Sequence, residues 1–115
     1  MTLSSLERLI ISALDQNKAE NIVSLDLTGK SDVADRMIVA SGTSNRHVAS
    51  LADHLVDALK KLGFNPVPVE GQDGSEWVLV DAGDIIVHLF KPETRARYNL
   101  EKMWSVDSKP LEAAF

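Results

Sequence analysis

Glu76-Trp77-Val78-Leu79-Val80-Asp81-Ala82-Gly83-Asp84-Ile85-Ile86-Val87-His88-Leu89-Phe90 is the stretch that decides how this chain folds. Glu76–Asp81 alternates, placing Trp77, Leu79 and Asp81 on one face and Glu76, Val78 and Val80 on the other, the period-two pattern of a strand. Asp84–Phe90 is a second strand, and the short Ala82-Gly83 connection predicts an antiparallel hairpin. The alternation does not say which of the two faces a helix covers.

Upstream of the hairpin lies a polar turn, Gly71-Gln72-Asp73-Gly74. Before it, Pro66 and Pro68 confine a short strand around Val67–Glu70 to an edge or a strand end, because proline has no amide to give to a ladder. Val48, Leu51, Ala52, Leu55, Leu59 and Leu62 then mark a long helix that Gly63 stops, with Ser41–Asn45 as a loop holding N-cap candidates. Arg36–Ala40 is a near-continuous apolar run and predicts a strand covered on both faces. The turn Thr28–Asp32 separates it from a half-buried strand, Asn21–Leu27, with Val23, Leu25 and Leu27 on one side. Leu3, Leu6, Ile10 and Ala13 predict a first amphipathic helix ending near Asn17.

Downstream, Pro92 and Glu93 open a last helix expected to run to about Met103, and Ser105–Phe115 reads as a loosely held tail. The sum is an α+β domain, a mixed five-stranded sheet packed with helices. Residues 1–104 form the single domain and 105–115 the tail. The unit from Arg36 through the long helix to Val67–Glu70 is expected to be a right-handed crossover between parallel strands.

At 115 residues the chain has room for one core and no second module. Seventeen acidic against twelve basic residues give a net charge of −5, which disfavours a phosphate backbone as partner and favours a neutral or basic protein. The absence of cysteine excludes disulfides, thiolate zinc sites and cysteine nucleophiles. No stretch approaches the ~18 apolar residues of a membrane span, and Met1–Leu14 lacks the basic start of a signal peptide. A cytoplasmic location and no membrane partner are the expectations.

Gly42-Thr43-Ser44-Asn45-Arg46 lies between strand and helix, where amides and the helix dipole could hold a phosphate. It matches neither nucleotide-loop fingerprint, and any such turn needs glycine and capping residues. A nucleotidyltransferase would also need closely spaced carboxylates for magnesium, and no Asp-x-Asp pair follows; Asp81 and Asp84 could contribute only by tertiary convergence. His47 and His54 are seven residues apart on the long helix, roughly 10.5 Å along its axis, too far to share a metal easily. No nucleophile elbow accompanies the serines and histidines, so no enzyme activity, metal or cofactor is expected.

Glu70–Asp84 contains five acids, Glu70, Asp73, Glu76, Asp81 and Asp84, and no lysine or arginine. Within it, the strand face of Trp77, Leu79 and Asp81 combines an aromatic with an acid, the composition of a hot spot for a basic protein surface. The competing reading buries Trp77 and Leu79 under a helix and leaves the acids merely solvated. Tyr98 and Trp104 in the last segment either pack on the sheet or enlarge that surface.

The chain also resembles a known family. The resemblance rests on Ala34-Asp35, Ile38–Val48, Val69-Glu70-Gly71, Glu76–Phe90, Pro92-Glu93-Thr94-Arg95 and Tyr98-Asn99-Leu100-Glu101-Lys102-Met103-Trp104, in that order. It is similar to the Iojap family, the bacterial and organellar ribosomal silencing factors, over about Leu3 to Trp104. One departure is Arg36-Met37, where many relatives carry aromatic residues. The resemblance implies a nucleotidyltransferase-like fold without catalysis. It implies binding to the large ribosomal subunit through ribosomal protein L-fourteen, blocking of small-subunit joining, and repression of translation when nutrients are scarce. A homodimer in isolation and little direct nucleic-acid binding are further expectations. In this setting Trp77 is expected to anchor the partner, Glu70 and Asp81 to pair with basic side chains, and Leu79, His88 and Tyr98 to complete the contact surface.

Overall fold

A computed structural model of the chain describes residues 2–32, 34–74 and 76–99. Three helices and five strands follow one another as α1 (Leu3–Gln16), β1 (Glu20–Asp26), β2 (Arg36–Ser41), α2 (Asn45–Lys61), β3 (Val69–Glu70), β4 (Trp77–Asp81), β5 (Ile85–Phe90) and α3 (Pro92–Tyr98). The strands form one mixed sheet in the order β1-β2-β5-β4-β3. Only β2 and β5 pair in parallel; the other three pairings are antiparallel.

The expected mixed five-stranded sheet is therefore present, and the two strands that α2 connects, β2 and β3, run in the same direction as expected. They are not neighbours, because the hairpin partners β5 and β4 lie between them. The reason is in the side chains. All six residues of β5 are buried and need cover on both faces, so β5 takes the middle. β3 is two residues long beside Pro66 and Pro68 and is suited only to an edge.

α1 and α2 lie on one face of the sheet. Their buried stripes, Leu6, Ile10 and Leu14 on α1 and Val48, Leu51, Ala52, Leu55 and Leu59 on α2, meet Ile38, Ala40, Val78, Val80, Ile85, Val87 and Leu89 in the main core. Arg36, in the position where the family resemblance anticipated an aromatic residue, faces α1: its Nε lies 3.7 Å from Glu7 Oε2, which also accepts a hydrogen bond from Ser24 Oγ. Glu7 thus ties α1 to β1 and β2.

α2 starts hard against the end of β2. A Cβ on Gly42 would lie 2.8 Å from Val48 Cγ2 and 2.9 Å from Val48 N, so glycine is needed there for close approach. Ser44 caps the helix by accepting the His47 amide at 3.1 Å. His47 Nδ1 accepts the Thr43 amide at 2.9 Å, which puts the ring proton on Nε2, and that nitrogen donates to the Asn17 carbonyl at 2.9 Å. One imidazole therefore joins the end of α1 to the start of α2.

α3 is shorter than expected. It ends at Tyr98, with Asn99 in the left-handed region at φ 48°, rather than continuing to Met103. The expected tail at 105–115, and Trp104 with it, lie outside the described residues. Among the described residues, no helix is long and apolar enough to cross a membrane.

Candidate protein-docking face

The sheet face turned away from α1 and α2 carries the expected contact residues, and strand register sets them in rows. Val23, Val39, His88, Leu79 and Glu70 are successive cross-strand partners from β1 to β3. A second row runs through Leu25, Met37, Ile86 and Asp81, and a third through Ser41, Phe90 and Trp77. Side chains paired across a sheet share a face. The alternation of β4 is thereby resolved: Val78 and Val80 are buried under the helices, while Trp77, Leu79 and Asp81 are half-buried on the opposite side.

Trp77 is the centre of an aromatic cluster. Its ring stacks on Phe90 at a centroid distance of 4.9 Å and meets Tyr98 of α3 at 4.6 Å. Its indole Nε1 donates to His88 Nδ1 at 2.9 Å. α3 is held over this end of the face by a hydrogen bond from Arg95 Nη1 to Ser41 Oγ, 2.8 Å long. Tyr98 remains 47% exposed, the most exposed of the large apolar side chains described.

The six residues singled out from sequence are thus brought together, with different roles open to each. Glu70 is exposed on the edge strand β3. Leu79 sits between Glu70 and His88 in the register. Asp81 closes β4, and one of its carboxylate oxygens accepts the Gly83 amide at 2.8 Å, so half of that group holds the hairpin turn. His88 is only 6% exposed, and burial pushes its pKa down to about 4, so the ring stays neutral. Its Nδ1 is taken up by the Trp77 indole.

Two contributors escaped the sequence reading. Phe90 lies two residues from His88 on the same face and forms the floor under Trp77; that spacing was the available signal. Ser41 accepts from Arg95, 54 residues further along the chain, and no local pattern announces it. Beside Trp77 the surface opens into a recess of about 390 Å³ lined by Asn45, Gly71, Asp73, Gly74 and Glu76, which adds two carboxylates to that end.

The remaining candidates disperse. In the Gly42–Arg46 turn the amides of Gly42, Thr43 and His47 are engaged by the Phe90 carbonyl, His47 Nδ1 and Ser44 Oγ, groups a phosphate would have to displace. His47 clasps α1, His54 lines an outer groove of α2 with Asp53 and Asp57, and His88 is on the far side of the sheet. Among the described residues, no group of three or more His, Cys, Asp or Glu side chains is placed to hold a metal ion.

An α+β domain with α1 and α2 packed on one sheet face and an aromatic cluster with nearby acids on the other presents the composition of a candidate protein-docking surface. Sequence comparison narrows that description. The family model described as "Ribosomal silencing factor during starvation" matches residues 2–114. A ribosomal silencing factor from Zymomonas mobilis is 46% identical over 99 residues, covering 86% of this chain and 74% of that protein. A mouse protein named for mitochondrial assembly of the ribosomal large subunit is 35% identical, over 87% of this chain and 45% of that one. A crystal structure of a protein from Chromobacterium violaceum superposes with a TM-score of 0.88 at 39% identity, covering 95% of this chain and 91% of that one. The chain belongs to the family of ribosomal silencing factors.

Proposed function

We propose that the chain binds the large ribosomal subunit through ribosomal protein L-fourteen, using the sheet face of Trp77, and keeps the small subunit from joining. It represses translation by occupying space in the cytoplasm, with no catalytic step and no cofactor. The observation that carries the proposal is that Trp77, Leu79, Asp81 and Glu70 share the β4–β3 part of the face opposite α1 and α2, with Tyr98 against Trp77 at its start. An aromatic anchor flanked by carboxylates suits the basic surface typical of ribosomal proteins, and the net charge of −5 discourages nonspecific attachment to rRNA.

The test is subunit joining followed by light scattering, with large-subunit binding measured by co-sedimentation in the same samples. Loss of joining with stoichiometric binding, both weakened in Trp77→Ala, supports the proposal. Binding that leaves joining intact favours the second reading, an assembly factor of the large subunit, which the name of the mouse relative brings forward. Absence of binding overturns both.

A further inference from the structure

We infer that His88 is a positioning residue for docking: its neutral Nδ1 holds the Trp77 indole in the orientation that the large-subunit partner meets. The inference rests on the docking face proposed above and assigns a part to a residue that does not itself reach the partner.

Trp77 starts a strand near the sheet's edge and is only half-buried, so nothing in the β4 backbone fixes its ring. Three neighbours do. Phe90 lies beneath the indole and Tyr98 against it, but ring stacking tolerates rotation and sliding in the plane. The hydrogen bond to His88 is the directional member of the set, 2.9 Å from Nε1 to Nδ1. Indole nitrogen can only donate, so His88 Nδ1 must be unprotonated and the ring proton sits on Nε2. The acceptor itself is held within the sheet: His88 occupies the central strand, paired with Val39 on one side and Leu79 on the other, and is 6% exposed. Burial also keeps the ring neutral, with its pKa lowered to about 4, so the acceptor persists at every pH at which ribosomes are handled. A rigid acceptor behind an exposed aromatic removes rotamer freedom before the partner arrives, the ordinary means of gaining affinity by preorganisation.

The experiment compares wild type, His88→Leu, His88→Asn, Trp77→Phe, Trp77→Ala and the double variant His88→Leu/Trp77→Phe in binding to purified large subunits. The Trp77 indole N–H resonance of the free proteins is recorded alongside, assigned by its disappearance in Trp77→Phe. Leucine removes the acceptor, whereas the asparagine oxygen stands the same number of bonds from Cβ as Nδ1. His88→Leu is expected to weaken binding about tenfold, the effect of losing one orienting hydrogen bond, and to shift the indole resonance. His88→Asn restores most of both. In the Trp77→Phe background, which has no indole N–H, His88→Leu adds no further loss.

An equal loss from His88→Leu in both backgrounds overturns the inference, because His88 would then act on the partner or the sheet directly. Unchanged binding by His88→Leu, with Trp77→Ala impaired, overturns it while leaving the docking face standing. Unchanged binding by Trp77→Ala removes the docking face, and this inference with it.

Discussion

Gly71 and Trp77 meet backbone to backbone: a Cβ built on Gly71 would lie 2.1 Å from the Trp77 carbonyl oxygen, and Gly71 itself has φ +84°. The turn from β3 to β4 can close only over a glycine, and that closure sets where Trp77 leaves the loop. Gly71→Ala combines a steric collision with a left-handed backbone and is expected to cost about 2 kcal/mol or more of stability. Urea denaturation of the variant measures it; a midpoint equal to wild type would show that the turn has another way to close.

Protonation of His88 is linked to folding. Its pKa is depressed from 6.5 to about 4, so between those values the unfolded chain holds the extra proton. The stabilisation is present above pH 6.5 and is lost as pH falls toward 4, by about 2 kcal/mol between pH 7 and pH 5. Denaturation of wild type and His88→Leu at the two pH values isolates this contribution, and the variant should show the smaller pH dependence. Equal pH dependence in both proteins would mean that His88 titrates normally when folded.

Glu70 stands exposed at the edge of the docking face, so its charge acts on encounter more than on the final contact. Glu70→Lys is expected to slow association severalfold at low salt, with wild type and variant converging as ionic strength rises and the Debye length shrinks to about 3 Å near 1 M. Stopped-flow association with the large subunit reads this. A wild-type rate that is flat with salt would remove acid-to-base steering from the mechanism.

Ser44 caps α2 and takes no part in the face beneath the sheet's other side. Ser44→Ala should lower stability by about 1 kcal/mol by orphaning the His47 amide. Large-subunit binding of the folded variant should equal wild type. A selective loss of binding would extend the docking surface round to the start of α2.

Several features of this protein are local in origin. Helical spacing from Val48 to Leu59, with Ser44 before it and Gly63 after it, defines α2 because both caps are written in the adjacent residues. Alternation in β4 places Trp77, Leu79 and Asp81 on a common side for the same reason. The motif order through Trp104 pointed to the family, and the comparison with the silencing factors bears that out. α3 is shorter than its pattern predicts because Asn99 ends it through a left-handed conformation that composition does not dictate.

The sequence by itself determined the elements, the mixed sheet, the family, and which residues of each strand share a side, since strand and helix periods are properties of consecutive residues. Only the tertiary structure decided that β5 enters between β2 and β4, and that α1 and α2 cover Val78 and Val80 while Trp77 faces away from those two helices. It alone set His88 behind the indole and Tyr98 against it. Those outcomes follow from competition among distant segments for the buried places: the strand apolar on both sides takes the centre, and the edge goes to the one flanked by prolines. No window of neighbouring residues contains that comparison.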